Sequence, residues 1–227
     1  KPTITILSND VTDNGHTNKQ IIDLTFTLSE APKEFKNSNI SADNGHIINL
    51  SNNGLVYTAQ FSSNSDGTNI VSVNADTFKD LAGNDNALSD VFSWTYDTQK
   101  PIVEITYPLD GSFVNALSYN IIYKTNEDLS SGRIIIYRIS GQPDVNSPHV
   151  VNLSGTYLES GTNSIDSTIK PELINGTAYL ITIDGIDLAG NQSDPDNVLN
   201  VTYDTTPPGF ENIIPSDNSF VNSQDIT

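Results

Sequence analysis

The chain has 227 residues, with 10 basic and 28 acidic side chains and a formal net charge of −18. That length accommodates one large domain or two of about 100 residues each, and the charge excludes a nucleic-acid binder held by its phosphates, which needs a basic face. Cysteine is absent, which excludes disulfides, thiolate chemistry and cysteine-held metal clusters, and no run approaches the ~20 apolar residues of a membrane-spanning helix. Methionine is absent too, initiator included, as expected of an internal piece of a longer protein.

Along the chain the apolar pattern has period two. It appears in Ile4-Thr5-Ile6, in Ile22–Leu28, in Val71-Ser72-Val73-Asn74-Ala75 and in Phe92-Ser93-Trp94-Thr95-Tyr96. Alternation puts apolar side chains on one sheet face and threonine, serine and asparagine on the other. Asn14-Gly15, Asn44-Gly45, Asn53-Gly54, Asp66-Gly67, Asp110-Gly111 and Asn175-Gly176 supply turns between the runs. These signals predict seven strands in the first hundred residues, over about 3–7, 20–28, 37–42, 45–50, 55–61, 69–75 and 91–96. No apolar stripe of helical period and length occurs.

Three motifs return in one register, each displaced by 107 positions: Tyr96–Pro101 at Tyr203–Pro208, Asp80–Asn84 (DLAGN) at Asp187–Asn191, and Pro108–Asn115 at Pro215–Asn222. Lys1–Ile6 also matches Lys100–Ile105. The expected layout is therefore one repeat over 1–99, a second over 100–206, and the N-terminal part of a third over 207–227. Short strands and frequent turns in units of this size point to an all-β fold, tandem immunoglobulin-like antiparallel β-sandwiches arranged end to end. The joints Thr98–Pro101 and Thr205–Pro208 are short and carry proline, so they act as stiff spacers.

Two resemblances sharpen this. Leu173-Ile174-Asn175-Gly176-Thr177-Ala178-Tyr179 resembles the stretch of fibronectin type III domains that ends in the corner tyrosine, which implies that the Tyr179 hydroxyl returns to backbone just upstream. Phe26–Pro32, Asn39-Ile40-Ser41, Val71–Ala75, Phe78–Asn84 and Trp94–Thr98 resemble the bacterial Ig-like repeats of large surface and secreted proteins. That resemblance covers repeat one and, in repeat two, only its ends, the DLAGN turn and the tyrosine corner. It implies a bacterial extracellular or cell-surface stalk or adhesin segment with no catalysis of its own. The neighbours it implies are further Ig-like repeats of the same chain, with any glycan or cell-surface ligand taken by a domain not present here.

The carboxylates that recur are the candidate ligands. Asp80 and Asp187 open the DLAGN turns and Asn84 and Asn191 close them; Glu30 and Glu127 each follow a second strand; Asp97 and Asp204 each end a last strand. In a sandwich of this topology Asp97 approaches Glu127, Asp128, Asp187 and Asn191 of the next module, a set of hard oxygen donors suited to Ca²⁺. The alternatives are a purely structural turn, with Gly83 and Gly190 at positive φ and each aspartate bonded to its own backbone, and a metal site within one domain. His16, His46 and His149 read as solvent-facing loop residues, and no nucleophile elbow, phosphate loop or histidine pair suggests an enzyme. Trp94 reads as core, and Tyr107, Tyr137 and Tyr157 as exposed. A glycan-binding or accessory module of a secreted polysaccharide-degrading enzyme is the competing function, weakened because those tyrosines form no platform in sequence. Residues 208–227 hold too little for a core and are expected to pair with another copy or with a continuation of the chain.

Overall fold

The computed structural model describes residues 1–115, 119–165 and 169–209. The expected pairing of 208–227 therefore lies almost wholly outside the described residues. The fold is all-β, as the alternation predicts. The first sandwich is built from β1 (Ile4–Ser8), β2 (Gly15–Thr17), β3 (Ile21–Leu28), β4 (Ile40–Asp43), β5 (Gly45–Asn53), β6 (Val56–Ser63), β7 (Gly67–Val73) and β8 (Phe92–Tyr96). One sheet has the order β1-β3-β6-β5 and the other β2-β8-β7-β4. The alternating residues close the core between them: Ile22, Leu24, Phe26 and Leu28 from β3 meet Val71, Val73 and Trp94 from the facing sheet. Trp94 is buried, its ring packed edge-on against Phe61 at 4.7 Å.

The second sandwich follows the same plan with β9 (Val103–Tyr107), β10 (Phe113–Val114), β11 (Ile121–Thr125), β12 (Leu129–Gly141), β13 (His149–Leu153), β14 (Gly161–Ile165), β15 (Thr177–Asp187) and β16 (Asp196–Tyr203). Its sheets are β14-β11-β9 and β10-β16-β15-β12-β13. A separate core forms around Ile121, Tyr123, Ile134, Ile136, Tyr179 and Ile181.

Several local expectations are corrected. The first strand of each sandwich is split: β1 pairs antiparallel with β3, then β2 crosses to pair parallel with β8, as β10 does with β16. Two- and three-residue strands carry no periodicity, so the sequence does not announce them. The strand expected over 37–42 begins only at Ile40, because Asn37–Asn39 forms a 3₁₀ turn fastened by Asn39 Nδ2 donating to Thr77 O at 2.7 Å. β5 runs on to Asn53 through a bulge in which Asn49 takes φ 56°.

Tyr179 makes its corner as the resemblance implies: the Ile174 N–H donates to its hydroxyl at 2.9 Å. The hydroxyl in turn donates to Asp144 Oδ2 at 2.8 Å, and the same oxygen lies 2.8 Å from His149 Nε2. His149 is thus largely buried on β13 and not a solvent-facing loop residue, because a buried carboxylate partners it. His16 and His46 are exposed but stand on β2 and β5. Tyr107 and Tyr157 are partly buried against the second core, which leaves Tyr137 as the exposed one of the three tyrosines.

Candidate metal centre

Hydrogen bonds alone organise the joint between the sandwiches. Asp97 follows β8 directly, and its backbone N–H donates to Thr17 O at 3.1 Å. Its Oδ1 accepts the N–H of Gln99 at 2.9 Å, a short Asx turn that fixes the side chain. From the turn between β6 and β7, Asp66 clasps the next two residues, accepting Thr98 Oγ1 at 3.0 Å on each oxygen and Gln99 Nε2 at 3.1 Å. Repeat two holds its own exit the same way: Thr206 N donates to Asp204 Oδ1 at 2.8 Å, and Asn175 bonds both Thr205 N and Thr206 Oγ1.

From the other side comes the DLAGN turn. Asp187 ends β15 and is 1% exposed; Gly190 takes φ 95° and swings the chain back so that Asn191 N and Nδ2 donate to the two Asp187 oxygens, each at 2.8 Å. Asp80, Gly83 (φ 93°) and Asn84 repeat this geometry at the pole of repeat one where the chain enters. The structural turn weighed in the sequence is therefore present in both repeats. At the joint it acquires a further contact, since Asn191 Nδ2 also donates to Asp97 O at 2.9 Å. Asn18 then spans the modules twice, its N–H donating to Ala189 O at 3.0 Å and its Nδ2 to Asn191 Oδ1 at 3.2 Å. Lys100 Nζ reaches Asp194 at 2.6 Å.

Glu127 completes the arrangement from the loop between β11 and β12. One ligand oxygen from each of Asp97, Glu127 and Asp187 lies within 4.8 Å of the others. Burial pushes the Glu127 carboxyl above the usual glutamate range, and the neighbouring charges of Asp97 and Asp187 push it further the same way. Those signs mark an anionic cluster short of positive charge. The groove beside it, about 340 Å³, is lined by His16, Asp97, Glu127, Asp128, Ser160 and Leu188.

Of the nine sequence-derived ligand candidates, the structure brings three together as carboxylates. Asp128 faces the same groove but accepts the Ser160 N–H at 2.7 Å, and Asn191 uses its side chain to tie the modules. Glu30, Asp80 and Asn84 occupy the far pole of repeat one, and Asp204 the exit of repeat two. Sequence reasoning missed Asn18 and Asp66, which belong to no repeated motif, and Gln99, which lies in one at a position where the second copy has Thr206. Chemically the cluster offers hard, anionic, partly dehydrated oxygens from two modules, with room beside them for backbone carbonyls and water.

No curated protein matches the chain. Among solved structures it is similar to fibronectin(III)-like modules of CbhA from Clostridium thermocellum (15% identity, 93% of this chain and 100% of that one, TM-score 0.44). It is also similar to the adhesin InvE of Yersinia pseudotuberculosis (15%, 87% and 58%, 0.30) and the Escherichia coli adhesin FdeC (12%, 89% and 64%, 0.35). Residues 1–96 match the model of the family described as bacterial Ig-like domain, so the resemblance carried by Phe26–Pro32, Asp80–Asn84 and Trp94–Thr98 holds across the first sandwich.

Proposed function

We propose that this segment is a non-catalytic extracellular spacer whose joint is stiffened by Ca²⁺ held between Asp97, Glu127 and Asp187. The observation that carries the reading is the convergence of three carboxylates from two modules on one point, within 4.8 Å. Without a cation they repel and favour opening of the joint; a divalent cation turns that repulsion into attraction, and the hydrogen bonds of Asn18 and Asn191 then fix the angle. The resemblance to bacterial surface repeats supports an extracellular site, where Ca²⁺ is abundant enough for modules with Kd of roughly 10⁻⁴ to 10⁻³ M.

Calcium titration by calorimetry tests it. The chain should bind in that range, and Asp187→Ala should remove the event assigned to the joint. A titration that is silent, or unchanged in the variant, removes the ion from the account.

A further inference from the structure

Four asparagines of the chain precede glycine: Asn14, Asn44, Asn53 and Asn175. The pair is chemically labile. Glycine carries no Cβ to shield its backbone nitrogen, and that nitrogen can close a five-membered ring on the asparagine Cγ, which helps make asparagine one of the thermolabile residues. Ring closure needs two freedoms: rotation of the amide side chain, and a glycine N–H not spent in a hydrogen bond.

Three of the four sites have lost one or both. Asn14 Oδ1 accepts Ser93 Oγ at 2.8 Å and its Nδ2 donates to Asp13 Oδ2 at 3.2 Å, while Gly15 N donates to Thr12 O at 2.9 Å. Asn44 is fixed through Ser65, whose Oγ donates to Asn44 Oδ1 at 3.0 Å and whose carbonyl accepts Asn44 Nδ2 at 2.8 Å. Asn175 Oδ1 accepts Thr205 N at 2.6 Å, its Nδ2 donates to Thr206 Oγ1 at 3.1 Å, and Gly176 N donates to Tyr203 O at 2.8 Å. Asn53 differs. It is the exposed last residue of β5, paired with Val56 across a turn made by Gly54 and Leu55. Among the described residues, neither its side chain nor the Gly54 N–H has a hydrogen-bond partner. A Cβ built on Gly54 would meet nothing within 4 Å, so the space around that residue is open. Leu55 O accepts the Leu28 N–H at 2.9 Å, which sets the turn at the pole where the chain enters.

We infer that Asn53 is the site of spontaneous deamidation in the folded protein. Base removes the Gly54 N–H proton and the nitrogen attacks Asn53 Cγ. The new N–Cγ bond forms, the Cγ–Nδ2 bond breaks, and Nδ2 leaves as ammonia with a proton from water. Water then opens the succinimide at either carbonyl, giving aspartate or its β-linked isomer, and nothing is oxidised or reduced. Each event adds a carboxylate to the pole that already carries Glu30 and Asp80. The β-linked product also lengthens the backbone by a carbon, out of step with the pairing of Asn53 and Val56.

Peptide mapping by mass spectrometry, on the full chain held at mildly alkaline pH, reads the reaction site by site. In the folded chain Asn53 should deamidate at least about tenfold faster than Asn14, Asn44 or Asn175, a barrier difference of about 1.4 kcal/mol. Both aspartyl isomers should appear at position 53, at a rate that rises with pH. In urea the four rates should converge, because the bonds that hold the other three are gone. Asn53→Ser should abolish the fast product and leave melting unchanged. An Asn53 no faster than the other three in the folded chain, a lead that persists undiminished in urea, or a fast product that survives Asn53→Ser overturns the inference.

Discussion

Replacing Glu127 by glutamine should have opposite effects with and without calcium. Its carboxylate faces two others at separations within 4.8 Å. At that distance like charges repel by about 1 kcal/mol in bulk water and about 3.5 at an effective dielectric of 20. Solvent reaches Glu127 and Asp97, which are only half-buried, so the lower figure applies and two such pairs give about 2 kcal/mol. Glu127→Gln is isosteric and deletes that repulsion, so in chelator the variant should melt several degrees above the wild type. Saturating calcium reverses the order: at one hundred times Kd the wild type gains about 2.7 kcal/mol, and the variant, lacking a charged ligand, gains little. The pH dependence follows from the raised Glu127 carboxyl. The folded chain binds this proton more tightly than the unfolded one, so stability in chelator falls as pH rises from the ordinary glutamate range through the folded value. Glutamine removes that slope. Calorimetric melting of both proteins, in calcium and in chelator across pH 4 to 8, reads all three effects. A variant less stable than wild type in chelator, or one keeping the full calcium gain, would refute the reasoning.

Asp144→Ala should destabilise repeat two by about 2–3 kcal/mol, because it strips partners from the buried Tyr179 hydroxyl and from His149; chemical denaturation measures it. Burial raises the Asp144 carboxyl, but hydrogen bonds from His149, Tyr179 and the Asn146 N–H outweigh it and hold it below the usual aspartate range. Its contribution is therefore present above the unfolded aspartate value and lost as pH falls through the lower folded one, a loss the alanine variant should not show. Phe61→Ala empties a fully buried site beside Trp94 and should cost repeat one about 3–5 kcal/mol. Fluorescence of Trp94, the single tryptophan, should report that loss, while amide exchange in the repeat-two core stays unchanged. Asn191→Ala removes the bond to Asp97 O and the acceptor for Asn18, so small-angle scattering should show a wider spread of interdomain angles even with calcium present.

The strands that could be read in the sequence are those long enough to show a period. β3 and β8 alternate over eight and five residues, whereas β2 and β10 have three and two and are held by parallel pairing to a distant last strand. The convergence of Asp97, Glu127 and Asp187 was legible because the motifs recur in register and sandwich topology fixes which loops share a pole. The other half of the joint was not, since Asn18 meets Asn191 across 173 positions and lies in no recurring motif. His149 misled for a related reason: its neighbour Pro148 suggests a loop, while the partner that buries it, Asp144, is placed by a hairpin that closes only in three dimensions.

The central claim is that calcium makes one rigid body of two sandwiches. Residual dipolar couplings measured separately for residues 1–96 and 101–203 test it most directly. With calcium the two alignment tensors should coincide in magnitude and direction, and with chelator they should diverge. Tensors that are the same under both conditions, or that stay independent at saturating calcium, would contradict it.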